Sequence, residues 1–144
     1  MHQITIYTDG ACSGNPGAGG WAAILMCNGA SKQISGGENN TTNNRMELQA
    51  VIEALKIIKK PSDVTLYSDS AYVVNAFSQG WLVNWQKNHW KTSGRKPVQN
   101  KELWLELLKL TNIHNVSFKK VAGHADNEFN NKCDELARAA IKNL

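Results

Sequence analysis

Two predicted strands of this chain end in the same unusual way, with a tyrosine, a hydroxyl residue and then an aspartate. The first covers residues 4–10, and its β-branched and aromatic side chains are typical of a strand. The second, residues 64–70, repeats the pattern. If the two strands are parallel neighbours, Asp9 and Asp69 lie at one edge of the same sheet. The fold must therefore accommodate two adjacent carboxylates.

The size and composition are those of one globular domain. The chain has 144 residues, of which 42% are hydrophobic and 19% are charged. No apolar run approaches the roughly 20 residues needed to span a bilayer. The N-terminal residues lead directly into the first strand, which leaves no room for a signal peptide. We therefore expect a single domain over residues 1–144 in the cytoplasm, with no membrane association.

The cysteine pattern favours neither a disulfide framework nor a zinc site. The three cysteines, Cys12, Cys27 and Cys133, are odd in number, widely spaced and without a Cys-x-x-Cys motif. We expect reduced thiols that are mostly buried.

A hairpin and a long helix follow the first strand. A second strand is predicted at residues 21–27, and the Asn28-Gly29 turn predicts a third strand through residues 32–35. Residues 36–40 are predicted to form a loop. Residues 46–60 are predicted to form a helix that ends before Pro61.

The remaining elements complete a mixed sheet. They are predicted as a strand at 64–68, helices at 71–78 and from 81, a loop at 92–97, a helix at 101–110, a strand at 116–121 and a helix at 127–142. A meander followed by strand–helix–strand crossovers predicts an α/β fold. Its five-stranded mixed sheet joins an antiparallel meander to parallel strands and carries helices on both faces.

Two expectations concern the exposure of individual side chains. The last helix is expected to bury its apolar face, which comprises Phe129, Cys133, Leu136, Ala137, Ala140 and Ile141. The histidines His2, His89 and His114 are expected at the surface.

Four carboxylates stand at positions that stability alone does not explain: Asp9, Glu47, Asp69 and Asp134. Each has an ordinary alternative. Asp9 can be a turn residue, Asp69 a helix N-cap, Glu47 a capping residue and Asp134 the partner of Arg138. Together, however, converging carboxylates repel one another and need protons or cations. Oxygen ligands without thiolates suit Mg²⁺ or Mn²⁺, and two such ions can promote phosphodiester hydrolysis.

One segment combines cations with tryptophans. No acidic residue occurs between Asp69 and Glu102. The segment holds Trp81, Trp85, Lys87, Trp90, Lys91, Arg95, Lys96 and Lys101. Such a positive field suits a polyanion. The alternative is that the tryptophans anchor the core while the lysines form a solvated face, and both interpretations can hold at once.

The motifs together resemble those of type 1 ribonuclease H, in order and over nearly the whole chain. They are Tyr-Thr-Asp-Gly-Ala-Cys-Ser-Gly-Asn-Pro-Gly from residue 7, Thr-Thr-Asn-Asn-Arg-Met-Glu-Leu from 41, Tyr-Ser-Asp-Ser from 67, and Gly-His at 123 followed by Cys-Asp-Glu-Leu-Ala from 133. The resemblance implies a ribonuclease H-like fold. It also implies a two-metal, Mg²⁺-dependent cleavage of the RNA strand of RNA–DNA hybrids, leaving 3′-hydroxyl and 5′-phosphate ends. The implied metal ligands are Asp9, Glu47, Asp69 and Asp134, and the implied catalytic histidine is His124.

The same resemblance implies the substrate contacts. The backbone around Cys12 and Ser13 and the amides of Asn15 and Asn43 would contact 2′-hydroxyls. Thr42 with Asn15 would hold a DNA phosphate, Asn44 would contact the DNA strand, and the tryptophan-rich basic segment would grip that strand. Ala71 stands where the family often has a glutamine that contacts the minor groove. The implied partner is the hybrid, with no obligate protein partner and a monomeric enzyme.

Three other functions fit the sequence less well. A binding module without catalysis predicts a broken acidic set, whereas all four carboxylates are present. A phosphate-binding loop at residues 14–20 lacks the Gly-Lys-Ser/Thr sequence and precedes a strand instead of a helix. A nuclease of the same fold class acting on duplex DNA is disfavoured by the Thr-Thr-Asn-Asn run and the basic tryptophan-rich segment.

Overall fold

The structure, a computed structural model, describes residues 2–121 and 127–144. The strands are β1 (His2–Cys12), β2 (Gly17–Cys27), β3 (Ala30–Thr41), β4 (Ser62–Ser68) and β5 (Asn115–Lys120). The helices are α1 (Asn43–Lys56), α2 (Ala71–Ser78), α3 (Trp81–Lys87), α4 (Lys101–Ile113) and α5 (Glu128–Lys142). No helix in these ranges is both long and apolar enough to cross a bilayer.

The five strands form one mixed sheet in the order β3-β2-β1-β4-β5. Neighbours β1 and β2, and β2 and β3, are antiparallel, whereas β4 runs parallel to both β1 and β5. The register places Tyr7 opposite Tyr67 and Thr8 opposite Ser68. The predicted fold class is therefore confirmed, and β1 is its central strand.

Helices cover both faces of the sheet. Helix α1 packs on β1 and β2 and contributes Leu48, Val51 and Leu55 to a buried core that includes Ile6 and Leu66. Helix α5 packs on the opposite face, across β1, β2 and β3. Helix α4 adds the fully buried Trp104 to the α1 side. Because this core fills the space between α1 and the sheet, it fixes the position of the N-terminal turn of α1.

The predicted loop at residues 36–40 is wrong, because β3 continues through this segment to Thr41. Gly36 pairs with Trp21 and Gly37 with Gly20 across the sheet. A Cβ at Gly36 would lie 2.6 Å from the Trp21 ring, so this strand position needs glycine for space. Glycine indicates a loop when it is considered locally, but here it admits the neighbouring side chain.

The bounds of the first long helix also differ from the prediction. Thr42 is its N-cap, and its Oγ1 accepts a hydrogen bond from the Arg45 N–H at 3.3 Å. The helix ends at Lys56 instead of Lys60, with Ile57 as C-cap. Steric hindrance from Pro61 disfavours helical backbone at Lys60 alone, so it does not explain why residues 57–59 also lie outside the helix.

Two side chains differ from their predicted exposure. His114 was expected at the surface but is 4% exposed, and its Nδ1 accepts a hydrogen bond from the Ser62 N–H at 3.2 Å. It therefore links the beginnings of β4 and β5. Phe129 was expected to be buried but is 37% exposed, beside the Tyr7 ring. His2 and His89 are exposed, as predicted.

All three cysteines carry free thiols, as the sequence predicted. Cys133 is buried, whereas Cys12 and Cys27 are half-buried.

Candidate active site

The two strand-ending aspartates lie side by side because β1 and β4 are parallel and in register. Asp9 is 4% exposed, and its Oδ1 accepts a hydrogen bond from the Gly10 N–H at 2.9 Å. Asp69 follows β4 directly and is half-buried. The Ser68 hydroxyl accepts a hydrogen bond from the Ser70 N–H at 3.1 Å, which shapes the turn that carries Asp69.

Glu47 reaches the aspartates because α1 approaches β1 closely at Gly10. A Cβ on Gly10 would lie 2.5 Å from the Glu47 backbone nitrogen and 2.6 Å from the Met46 carbonyl carbon. Only glycine permits this distance between a helix and a strand. As a result, one carboxylate oxygen from each of Asp9, Glu47 and Asp69 lies within 4.8 Å of the other two. We call these three residues the carboxylate cluster.

Asp134 lies beside the carboxylate cluster but outside its tight grouping. Its negative charge acts on Asp9, and its Oδ2 also pairs with Arg138 Nε at 3.1 Å. The geometry therefore allows Asp134 both predicted roles, as the ion-pair partner of Arg138 and as a metal ligand beside Asp9. The neighbouring Cys133 Sγ donates a hydrogen bond to the Tyr7 carbonyl at 3.3 Å, which ties this turn of α5 to β1.

The carboxylate cluster carries more negative charge than its surroundings stabilise. Burial, followed by the negative charges of Asp69 and Asp134, raises the pKa of Asp9 from 3.8 to about 8. Burial, followed by the charges of Asp9 and Asp69, raises the pKa of Glu47 well above its usual value. Burial and the charge of Asp9 also raise the pKa of the Cys133 thiol to about 12, so this thiol is not a nucleophile.

These residues fit a hard divalent cation. Glu47 Oε2 is buried and has no hydrogen-bond partner among the described residues. An unpaired buried carboxylate oxygen is costly unless a cation neutralises it. The cluster offers oxygen donors, which suit Mg²⁺ or Mn²⁺ better than softer metals.

His124, the predicted catalytic histidine, lies outside the described residues. The described chain that precedes it leaves the sheet at the same edge as the cluster. The Val121 N–H donates a hydrogen bond to the Ser68 carbonyl at 2.9 Å, one residue before Asp69.

The predicted phosphate contacts converge on one polar cavity. Asn15, Thr42, Asn44, Gln99 and Asn100 line a cavity of about 360 Å³. The resemblance implied a phosphate contact for Asn15 and Thr42 and a DNA-strand contact for Asn44. It implied none for Gln99 or Asn100, which reach the cavity from the segment before α4. No motif marks those two residues, so only the tertiary structure reveals them.

The predicted 2′-hydroxyl contacts border the same region. The Asn43 N–H donates a hydrogen bond to Asn15 Oδ1 at 3.3 Å, which joins the loop after β1 to the beginning of α1. The Cys12 thiol faces the carbonyls of Gly17 and Thr41, at 3.6 and 3.5 Å. These contacts hold the loop after β1 against the beginning of α1.

In the basic segment, the tryptophans and the cations serve different purposes. Trp81, Trp85 and Trp90 are half-buried and pack against the core, and the Trp85 ring lies 5.5 Å from that of Trp104. By contrast, the cations Lys87, Lys91, Arg95 and Lys96 are exposed. They form no ion pair with any described residue. The aromatic side chains therefore anchor a surface whose positive charge stays available.

The loop of this segment has a defined backbone. Lys91 and Pro97 form an isolated β-bridge, and the Thr92 N–H donates a hydrogen bond to the Lys96 carbonyl at 2.8 Å. The Val98 N–H donates to the Trp90 carbonyl at 3.0 Å. The cations are thus presented on a folded loop.

The fold and the site define a class of protein: an α/β sheet of ribonuclease H-like order with a carboxylate cluster suited to divalent cations at the end of its central strand. Comparison with known proteins gives the family. The family model described as RNase H matches residues 1–142, and the chain belongs to the ribonuclease H family of enzymes.

Relatives support this assignment over nearly their full length. The ribonuclease H of Chlorobaculum parvum is 63% identical over 139 residues, which cover 96% of this chain and 95% of the relative. The ribonuclease H of Caldicellulosiruptor saccharolyticus is 57% identical over 144 residues, which cover 100% of this chain and 99% of the relative.

Solved structures show the same fold. LC9-RNase H1, described as a type 1 RNase H with the type 2 active-site motif, is 29% identical, with a TM-score of 0.87 and coverage of 99% of this chain and 73% of that one. LC11-RNase H1, solved in complex with an RNA/DNA hybrid, is 26% identical, with a TM-score of 0.70 and 97% coverage of both chains.

Proposed function

We propose that this protein is an endonuclease that hydrolyses the RNA strand of RNA–DNA hybrids. The observation that carries the proposal is the convergence of Asp9, Glu47 and Asp69 within 4.8 Å in a chain of the ribonuclease H family. The structure of LC11-RNase H1 with an RNA/DNA hybrid supports the substrate class.

The carboxylate cluster, together with Asp134, would hold two Mg²⁺ ions, with Mn²⁺ as a possible substitute. When bound, such ions supply the positive charge that activates a water and stabilises the departing 3′ oxygen, which gives 3′-hydroxyl and 5′-phosphate ends. Asp9 would be the central ligand, because its negative charge acts on Glu47 and the charges of Asp69 and Asp134 act on it. His124 would move a proton or help the product to leave.

The cavity lined by Asn15, Thr42 and Asn44 would bind a phosphate of the DNA strand. The backbone at Cys12 and Ser13, with the amides of Asn15 and Asn43, would recognise 2′-hydroxyls and so distinguish RNA from DNA. Affinity from these contacts carries little base information, so we expect cleavage that tolerates sequence.

The basic segment would grip the DNA strand through its backbone. Its proposed contacts are Trp81, Trp85, Lys87, Trp90, Lys91 and Lys96. These cations are exposed and form no ion pair with a described residue, which supports the assignment because phosphate contacts need available charge.

We also propose that residues 1–144 form one catalytic domain, since the described strands form one sheet and the described helices pack on it directly or through another helix. The cytoplasmic location and the monomeric state stay predictions.

One assay tests the proposal directly. A labelled RNA is annealed to DNA and incubated with Mg²⁺, beside the same RNA alone, an RNA duplex and a DNA duplex. We expect cleavage of the RNA in the hybrid alone, with 3′-hydroxyl ends, and none in EDTA. Binding without cleavage, or cleavage of the DNA duplex, would support the competing functions instead.

The variant Asp9→Asn completes the test. We expect it to fold, as judged by circular dichroism, and to lose at least about 10³-fold in hybrid cleavage, because a central metal ligand is removed. Activity equal to that of the wild type would refute the proposed metal role.

A further inference from the structure

A chain of polar contacts joins the two segments that carry Glu47 and Asp69. Arg45 lies two residues before Glu47 on α1, so the two side chains point to different sides of the helix. The Arg45 guanidinium pairs with Glu102, and its Nη1 donates a hydrogen bond to Asn100 Oδ1 at 3.1 Å. The first turn of α1 is thereby tied to the beginning of α4.

The same asparagine continues the chain to α2. Its Nδ2 donates a hydrogen bond to the Tyr72 hydroxyl at 3.2 Å. Because a guanidinium only donates hydrogen bonds, Asn100 Oδ1 must face Arg45, which leaves the amide nitrogen for Tyr72. The Tyr72 hydroxyl also accepts a hydrogen bond from Trp104 Nε1 at 3.0 Å. Tyr72 lies three residues after Asp69 and near the beginning of α2.

The conformation of Asn100 serves these contacts and not its own helix. It is the N-cap of α4, but its side chain makes no capping hydrogen bond. Its backbone is left-handed, with φ 61° and ψ 28°, a conformation that asparagine adopts more readily than most residues. The Asn100 side chain therefore bridges α1 and α2 instead of capping α4.

The site needs such a tether. When ionised in the absence of cations, three carboxylates within 4.8 Å repel one another, and this repulsion favours separation of α1 from the turn after β4. The polar chain connects those same two segments through side chains other than the carboxylates.

We propose that Tyr72 and Asn100 are positioning residues, which hold Glu47 and Asp69 at the separation that binds divalent cations. This inference rests on the proposed function, and it adds a role for side chains that do not touch the metal. Without the Tyr72 hydroxyl, Asn100 loses its acceptor on α2, and Glu47 and Asp69 are free to move apart.

The test measures Mg²⁺ binding without any nucleic acid. The amide resonance of Gly10, whose N–H donates to Asp9, is followed by NMR during titration with MgCl₂. Tyr72→Phe removes the hydrogen bonds from both Asn100 and Trp104. We expect its apparent Kd to rise about fivefold, as the loss of the one bond that bridges α1 and α2, from Asn100, implies. Arg45→Met interrupts the chain on its other side and should change the Kd in the same direction.

Two control variants separate positioning from general stability. Tyr67→Phe removes another hydroxyl near the site. This hydroxyl makes no hydrogen bond with a described residue, so its loss should leave the Kd unchanged. Leu107→Ala destabilises the buried core of α4 without touching the polar chain, so it should lower the melting temperature and leave the Kd unchanged.

The outcomes distinguish this inference from the proposed function. Hybrid cleavage by the wild type tests the function, whereas the titration contains no hybrid. An unchanged Kd in Tyr72→Phe, an equal rise in Leu107→Ala, or no saturable shift of Gly10 in the wild type would overturn the inference.

Discussion

Burial and neighbouring charges make Asp9 a carboxylate that resists ionisation in the folded protein. Its pKa rises from 3.8 to about 8, whereas in the unfolded chain it stays near its ordinary value. The folded state therefore binds this proton more tightly. The stability linked to Asp9 is fully present below about pH 4 and is lost as the pH rises through about 8.

We predict that Asp9→Asn stabilises the metal-free protein increasingly as the pH rises. Because asparagine has no charge to bury, the variant avoids the loss that the wild type undergoes between about pH 4 and 8. At pH 8.5 in EDTA we expect a gain of about 1 kcal/mol or more, or about 4 °C in melting temperature by calorimetry. As a control, Glu38→Gln replaces an exposed carboxylate and should not stabilise the protein increasingly as the pH rises. A lower melting temperature in Asp9→Asn would contradict the repulsion inferred from the geometry.

At the scale of elements, α3 and the loop that follows form a positively charged surface anchored by tryptophans. Because its cations have no ion-pair partner among the described residues, each is available to a phosphate. If Lys87, Lys91, Arg95 and Lys96 all neutralise phosphates, the logarithm of the binding constant for the hybrid should fall with the logarithm of the salt concentration, with a slope of about −3.6.

We predict that Lys91→Ala weakens hybrid binding and reduces that slope to about −2.7, since one phosphate contact is lost. The measurement is fluorescence anisotropy of a labelled hybrid over a range of KCl concentrations, in Ca²⁺ or EDTA to prevent cleavage. The control Lys109→Ala removes an exposed lysine on α4 and should keep the wild-type slope. Equal slopes for Lys91→Ala and the wild type would exclude Lys91 as a phosphate contact.

The approach of α5 to β2 is another feature at the scale of elements. A Cβ on Gly20 would lie 2.1 Å from the Ala137 carbonyl oxygen, and backbone cannot yield as a flexible side chain can.

We predict that Gly20→Ala lowers the free energy of unfolding by about 2–3 kcal/mol, because helix and strand must separate. Urea denaturation monitored by circular dichroism measures this change. Gly94→Ala is the matched control, since its Cβ would meet only the Thr92 hydroxyl at 3.9 Å. A loss in Gly20→Ala no larger than in this control would mean that α5 packs less tightly than described.

At the scale of the whole molecule, the carboxylate cluster joins three parts of the chain. Asp9 comes from β1, Glu47 from α1 and Asp69 from the residue after β4. The unfolded chain does not assemble these ligands, so a cation that binds the cluster must stabilise the folded state.

We predict that Mg²⁺ at ten times its Kd stabilises the protein by about 1.4 kcal/mol, which raises the melting temperature by about 4–5 °C. Asp9→Asn should lose most of this gain. The measurement is differential scanning calorimetry in MgCl₂, with NaCl of equal ionic strength as the reference. The same rise in both salts would indicate screening instead of a specific site.

Local chemistry in the sequence determined the order and type of the elements. The Asn28-Gly29 hairpin is present with both residues at positive φ, and Ser70 caps the helix that begins at Ala71. The same local patterns misled where glycines make room for neighbours. β3 continues through Gly36, where the Trp21 ring occupies the space of a side chain, and through Gly37, where the Gly19 and Ala140 carbonyl oxygens do.

The sequence also identified the carboxylates of the candidate site, because acidic side chains at strand ends and on an apolar helix face are visible as pattern. Tertiary structure decided which of them meet. Gly10 lets α1 approach β1, so Glu47 joins Asp9 and Asp69, whereas Asp134 on α5 stays outside the tight grouping. Gln99, Asn100 and the buried His114 carried no local signal. Periodicity and propensity describe one segment at a time, whereas the distances between segments depend on how the whole core packs.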